Sequence, residues 1–225
     1  MSEWWTYTLS DFLLFSPRTY YRLLELYNLA VWPLQVVGVV VGLAAIALSL
    51  GSRGRLVSLS LALSWLWVAW AFHARHYAQI NWAAPWFAAA FAIQAAALLT
   101  LGTIAGRLHF RVERDARTWL AMGLAAIAVA GYPLVAPLAG HGWASAETFG
   151  LTPDPTALAT VALVSQVRGN VRWLLLALPL AWCAIAAATL WAMESPTAVL
   201  PTLLGLAGAL VASGRSRSDA LRSAS

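Results

Sequence analysis

Residues 149–172 read FGLTPDPTALATVALVSQVRGNVR, and the apolar run within them decides the fold. That run, PTALATVALVSQV at 155–167, supplies 13 positions. At 1.5 Å of rise each it reaches roughly 20 Å, against the roughly 30 Å of hydrocarbon that a span crosses. Length alone leaves a short span, a half-helix or a re-entrant segment. Six longer apolar runs surround it, at 28–50, 56–74, 82–105, 118–138, 173–193 and 197–213. Arginine placement separates the alternatives, because basic residues concentrate in cytoplasmic loops. If 155–167 crosses, 11 arginines share one side: Arg53, Arg55, Arg107, Arg111, Arg114, Arg117, Arg168, Arg172, Arg215, Arg217 and Arg222. The other side then holds 3, namely Arg18, Arg22 and Arg75. If it does not cross, the last five change sides and the split becomes 6 to 8. The biased split predicts seven crossings, with the N-terminus outside and the C-terminus in the cytoplasm.

Composition points the same way. Of 225 residues, 61% are hydrophobic and 10% charged, and the mean hydropathy is +0.71. Soluble domains carry about 25% charged residues, so a soluble, disordered or nucleic-acid-binding chain is excluded. The net charge of +5 comes from arginines in short loops between apolar runs, a topology signal rather than a phosphate-binding face. No lysine occurs, which removes Schiff-base chemistry and a P-loop. The single cysteine, Cys183, lies in an apolar run and reads as a packing residue, with no intrachain disulfide. Glu3, Trp4 and Trp5 open the chain without a basic n-region, so no signal peptide is read. The expected fold class is all-α: a polytopic membrane bundle of seven transmembrane helices with an amphipathic N-terminal helix. Its parts are an interfacial amphipathic segment at 1–27, the helical bundle at 28–213 and a disordered cytoplasmic tail at 214–225.

Ser16-Pro17 reads as an N-cap followed by proline at the first helical position. The next turns mix tyrosines and leucines with Arg18, Arg22 and Glu25, the pattern of a helix lying in the interface. Most of the 13 tryptophans fall toward the outer side, among them Trp32, Trp70, Trp82, Trp86, Trp143 and Trp191. Indoles favour the headgroup level, and the outward excess makes this Trp-rich half a candidate surface for a membrane-protein partner. The lipid bilayer is the expected partner in any case, and nucleic acid is not. Gly38-x-x-x-Gly42 and Gly102-x-x-x-Gly106 let backbones approach closely and read as helix packing within the chain.

Ionisable and amide groups at membrane depth carry the functional reading. His73, His76 and Tyr77 share one face of a regular helix by their spacing. Two imidazoles at i,i+3 without a third ligand are a loose match to a metal site, and no facing histidine exists for a bis-histidine haem, so neither a metal nor a cofactor is expected. Asp154 reads as the cap of the short fifth segment, with Pro155 at N1. A short helix beside a carboxylate is also a pointer to a transport site. Gln35 and Gln94 lie inside spans and each requires a partner. The motifs HExxH, GxSxG, GxGxxG and CxxC are absent, so nothing indicates an enzyme.

The stretches DFLLFSPRTYYRLLELYN, LAVWPLQ, WLWVAWAFHARHYAQINWAAPWFAAAFAIQ and FGLTPDPT resemble a bacterial family of small multi-spanning membrane proteins of unknown function, DUF6064. The resemblance runs from about Asp11 to the seventh span, and INWAA and TPDPT are its most distinctive parts. It implies a multi-pass protein of the bacterial inner membrane and brings no activity, ligand or site residue with it. Two functions are expected from the residues themselves. One is handling of a small solute or ion at a substrate site in the outer half, built from His73, His76, Asn81, Asp154 and Gln94. The other is a non-catalytic accessory subunit that docks a partner through the Trp-rich half.

Overall fold

The computed structural model describes residues 15–110 and 115–213. The tail at 214–225 and the placement of Trp4, Trp5, Arg111, Arg114, Arg215, Arg217 and Arg222 lie outside the described residues.

The described chain is helical. Helix α1, Pro17–Ala30, starts as expected, with Ser16 Oγ accepting from Thr19 N at 3.2 Å. Helix α2, Leu34–Leu50, follows at an angle of 89° to α1. Helices α3 (Gly54–Gln79) and α4 (Ala84–Ile104) come next. Then follow α5 (Ala116–Leu138), α6 (Pro153–Val164), α7 (Val171–Ala192) and α8 (Val199–Ser213). By length and hydropathy α3, α4, α5 and α7 can each cross a membrane, and the bent pair α1–α2 makes a fifth candidate. The other two runs of the expected seven form shorter helices, α6 with 12 residues and α8 with 15. Among the described residues the fold is therefore all-helical, with four or five helices long and apolar enough to cross a membrane.

Helix α5 begins at Asp115, whose Oδ1 accepts from Thr118 N at 2.8 Å. That backbone N–H holds the Asp115 carboxyl below its ordinary range.

The centre of the bundle is α6. Every residue from Pro153 to Val164 is buried, and the helix packs against α2, α3, α5, α7 and α8. Its small side chains permit this, and its hydroxyls are satisfied locally: Thr156 donates to Thr152 O and Thr160 to Thr156 O. Thr160 also accepts from the indole N–H of Trp65, at 2.8 Å.

Helix α6 runs only half the length of its antiparallel neighbour α7. Asp154, its second residue, meets Trp182, the twelfth of 22 residues of α7. The far end of α6 emerges beside the α4–α5 connection, where Val167 pairs with Phe110 and Arg168 N donates to His109 O. The other half of the length beside α7 is filled by irregular backbone. Residues 145–152 are buried except for Glu147, which is half-buried. Phe149 packs on Gly38 and Gly42 of α2, and Gly42 is the ninth of that helix's 17 residues. The loop expected to face outward at 139–153 thus dives to half the depth of the bundle before α6 begins.

Buried irregular backbone is tolerated only where its polar groups find partners within the protein. Asn28 Nδ2 donates to both Ala144 O and Ala146 O at 2.8 Å. Tyr27 Oη donates to Leu151 O at 2.9 Å. Thr148 N and Gly150 N donate to the hydroxyls of Thr152 and Thr156. Helix α1, with Thr152 and Thr156 at the start of α6, therefore holds the descending segment.

The two GxxxG pairs allow close packing within the chain, as expected, against irregular backbone as well as helices. A Cβ at Gly38 would strike the carbonyl of Phe149, and one at Gly42 would strike Val129 and the Phe149 ring. Gly102 does face a helix, α3 at Ser58, but Gly106 has φ +65° and ends α4.

Candidate functional site

The site forms where the descending segment turns into α6. Thr152, not Asp154, is the N-cap, and its extended backbone leads into Pro153 at the first turn. The capping role expected for Asp154 is therefore corrected. Proline at 153 starts the helix one residue pair early, which moves the carboxylate inside the first turn and turns it into the bundle. There Asp154 is 4% exposed. One oxygen accepts from Trp182 Nε1 at 2.8 Å and the other from Tyr132 Oη at 3.1 Å. Neither donor is charged. A cavity of about 10 Å³ lies beside the carboxylate, bounded by Tyr20, Phe72, Tyr77, Trp182 and Thr189. That is about one water.

His73 lies on the other side of the same indole, its ring centroid 5.1 Å from that of Trp182. It is fully buried, and neither ring nitrogen has a hydrogen-bond partner among the described residues. Phe72, Tyr77, Phe87 and Phe91 complete the enclosure, with Phe91 closest at 4.6 Å between centroids. Glu147, on the descending segment, has Oε2 enclosed and likewise without a partner.

Two further site residues expected from the sequence lie apart from this centre. The end of α3, Val68–His76, is wound as a π-helix. Its looser turns separate residues that a regular helix would stack. His76 consequently turns toward α1, packing edge-on against Tyr27 at 4.9 Å, while its Nδ1 lies 2.7 Å from Ala71 O. The expectation that His73 and His76 share a face is corrected by that winding, though His73 and Tyr77 do meet, at 5.9 Å. Asn81 closes the turn before α4, its Oδ1 accepting from Ala83 N at 2.9 Å. Gln94 is buried and donates to Leu175 O at 2.9 Å, which joins α4 to α7. Gln35 donates to Asn28 O at 2.8 Å and so supports the α1–α2 bend. Among the described residues no group of three His, Cys, Asp or Glu side chains is placed to hold a metal ion.

Sequence reasoning did not single out Tyr132, Glu147 and Trp182 as members of the Asp154 centre. Trp182 carried a signal, since an indole deep in a span needs a buried acceptor for its N–H. Tyr132 carried a weaker one, as a hydroxyl in the Gly131-Tyr132-Pro133 break of its helix.

No characterised protein and no solved structure matches this chain. Residues 18–222 match the profile of a family of unknown function, and over that length, nearly the whole chain, the protein belongs to DUF6064.

Proposed function

We propose that this is a multi-pass membrane protein that handles protons, binding or passing them at the buried carboxyl of Asp154. The observation that carries the reading is a carboxyl halfway down a helical bundle, held only by neutral donors, with space for one water beside it. An ionised carboxylate is expensive in apolar surroundings, and groups of this kind at membrane depth are usually functional. The start of α6 and its two hydrogen-bond donors favour the anion, while burial favours the acid. Protonation therefore exchanges one set of stabilising terms for the other.

The size of the void narrows the ligand. A cavity of about 10 Å³ has no room for an organic solute. A hard metal cation asks for six or more oxygen ligands, and the void is bounded mainly by rings and alkyl groups. A proton needs one oxygen and a water to arrive by. Glu147, half-buried on the descending segment, offers a relay toward the nearer end of the bundle. His73 lies beyond Trp182 in an aromatic enclosure, and its imidazole offers one further acceptor nitrogen.

The test is proton flux into liposomes carrying the purified protein, driven by a potassium-diffusion potential and read with an enclosed pH dye. Wild type should acidify the lumen, Asp154→Asn should abolish this, and His73→Phe should reduce it. Unchanged flux in folded Asp154→Asn protein would overturn the reading. The accessory-subunit reading keeps one observation of its own. Trp32, Trp82, Trp86, Trp143 and Trp191 are each 67–72% exposed and gather at one end of the bundle, a surface that suits either headgroups or a membrane partner. We orient that end outward from the arginine distribution, which places the C-terminus in the cytoplasm.

A further inference from the structure

A second cavity, of about 350 Å³, lies between α1 and the end of α3, away from Asp154. Its polar wall carries Arg18, Arg22, His76 and Gln79, and its apolar floor carries Leu26 and Ile80. We infer that this is a binding site for an anionic phospholipid, with the phosphodiester on the arginines and an acyl chain along Leu26 and Ile80.

Three observations support it. First, α1 stands at 89° to α2, so if α2 crosses the membrane α1 lies in its surface, at the depth of lipid phosphates. Second, the charge is right. Arg18 and Arg22 project from successive turns of α1, and Arg22 pairs with Glu25 at 2.8 Å. Arg75 follows nearby, its carbonyl accepting from Gln79 Nε2 at 2.8 Å. Two arginines against one glutamate leave a positive wall, and guanidinium groups bind phosphate oxygens through paired hydrogen bonds. Third, His76 is oriented. A carbonyl only accepts, so the contact to Ala71 O makes Nδ1 the protonated nitrogen and leaves Nε2 free for a ligand. Free phosphate would use the polar wall alone. The exposed Leu26, 50% accessible, and Ile80 continue the cavity into an apolar surface that suits a chain.

The site also touches the descending segment. His76 packs on Tyr27, and the Tyr27 hydroxyl holds Leu151 O. A lipid that fixes the angle between α1 and α3 should therefore stabilise the whole bundle.

The experiment is thermal unfolding of detergent-purified protein with phosphatidylglycerol, phosphatidylcholine or inorganic phosphate added at equal concentration. Phosphatidylglycerol should raise Tm, the zwitterionic lipid should raise it less, and inorganic phosphate should leave it unchanged. The double variant Arg18→Gln/Arg22→Gln should lose the phosphatidylglycerol shift, while Arg53→Gln, an exposed arginine at the other end of α3, should keep it. An equal shift in the double variant, or loss of it in Arg53→Gln, would overturn the site. A shift reproduced by inorganic phosphate would overturn the lipid as its occupant.

Discussion

Replacing Asn28 by alanine tests the architecture at its most exposed joint. The Asn28 amide donates two hydrogen bonds of 2.8 Å, to Ala144 O and Ala146 O, where the chain leaves the end of the bundle and turns inward. Alanine removes both donors and leaves two carbonyls facing a side groove of about 440 Å³, walled mainly by Leu29, Val36, Val39 and Pro133. A buried polar group left unsatisfied costs about 1–3 kcal/mol, and because Ala146 is buried while Ala144 is exposed, the expected loss is about 1–3 kcal/mol. Side-chain hydrogen bonds measured within membrane bundles average only about 0.6 kcal/mol, because the unfolded chain finds other partners in the bilayer, which puts the floor near 1 kcal/mol. The apolar walls of the groove place the expected loss above that floor. Equilibrium unfolding in mixed micelles measures it, with Leu29→Ala as the comparison, since Leu29 is 69% exposed and holds nothing in place. A loss below about 0.5 kcal/mol for Asn28→Ala would show that the 139–152 segment does not depend on α1 for its descent.

Three other substitutions probe separate joints. Tyr27→Phe removes the donor to Leu151 O and the acceptor of the Trp67 indole N–H, and should destabilise by about 1–3 kcal/mol in the same unfolding assay. Gly38→Ala should destabilise by about 1–3 kcal/mol through collision with the Phe149 backbone, and light scattering should show no change in oligomeric state, as a dimer motif would have required. Asp115→Ala should lose about 0.5–2 kcal/mol at neutral pH whereas Asp115→Asn loses little, since both Asp and Asn accept from N3. The Asp115 carboxyl titrates lower folded than unfolded, so its contribution is full above the ordinary carboxylate range and disappears as pH falls through the folded value. Unfolding midpoints of wild type and Asp115→Ala should therefore converge in acid, and a constant gap down to pH 2 would contradict the cap.

The helical bundle was legible in the sequence because lipid imposes a simple rule. Backbone groups must be satisfied within each span, so apolar runs of sufficient length are helices. The same rule hid the descending segment. Residues 139–152 contain Gly140, Gly142, Gly150 and polar side chains, and by composition they read as a surface loop. Their burial depends on partners remote in sequence: Asn28 is 116 and 118 residues from the carbonyls it holds, and Tyr27 is 124 residues from Leu151. No local pattern encodes such pairings. In hindsight Gly38-x-x-x-Gly42 was one half of the signal, since glycines admit any backbone that approaches closely, irregular as well as helical.

The candidate site divides along the same line. A run of 12 or 13 residues cannot begin at the surface and still reach the far side unless other chain completes the crossing, which set burial of Asp154 beside its reading as a cap. Which residues meet it did not follow, because the partners are set by depth rather than by sequence distance. His73 and His76 show this most clearly. At i,i+3 they looked like one unit, yet a π-wound turn sends the first into an aromatic enclosure beside Trp182 and the second to an interfacial cavity beside Arg18. The two imidazoles thereby belong to different environments, one enclosed by aromatic rings and the other beside Arg18 and Arg22. A proton-handling centre and a lipid site built three residues apart on one helix would then be joined mechanically, since any ligand that shifts His76 against Tyr27 also pulls on Leu151, three residues ahead of Asp154.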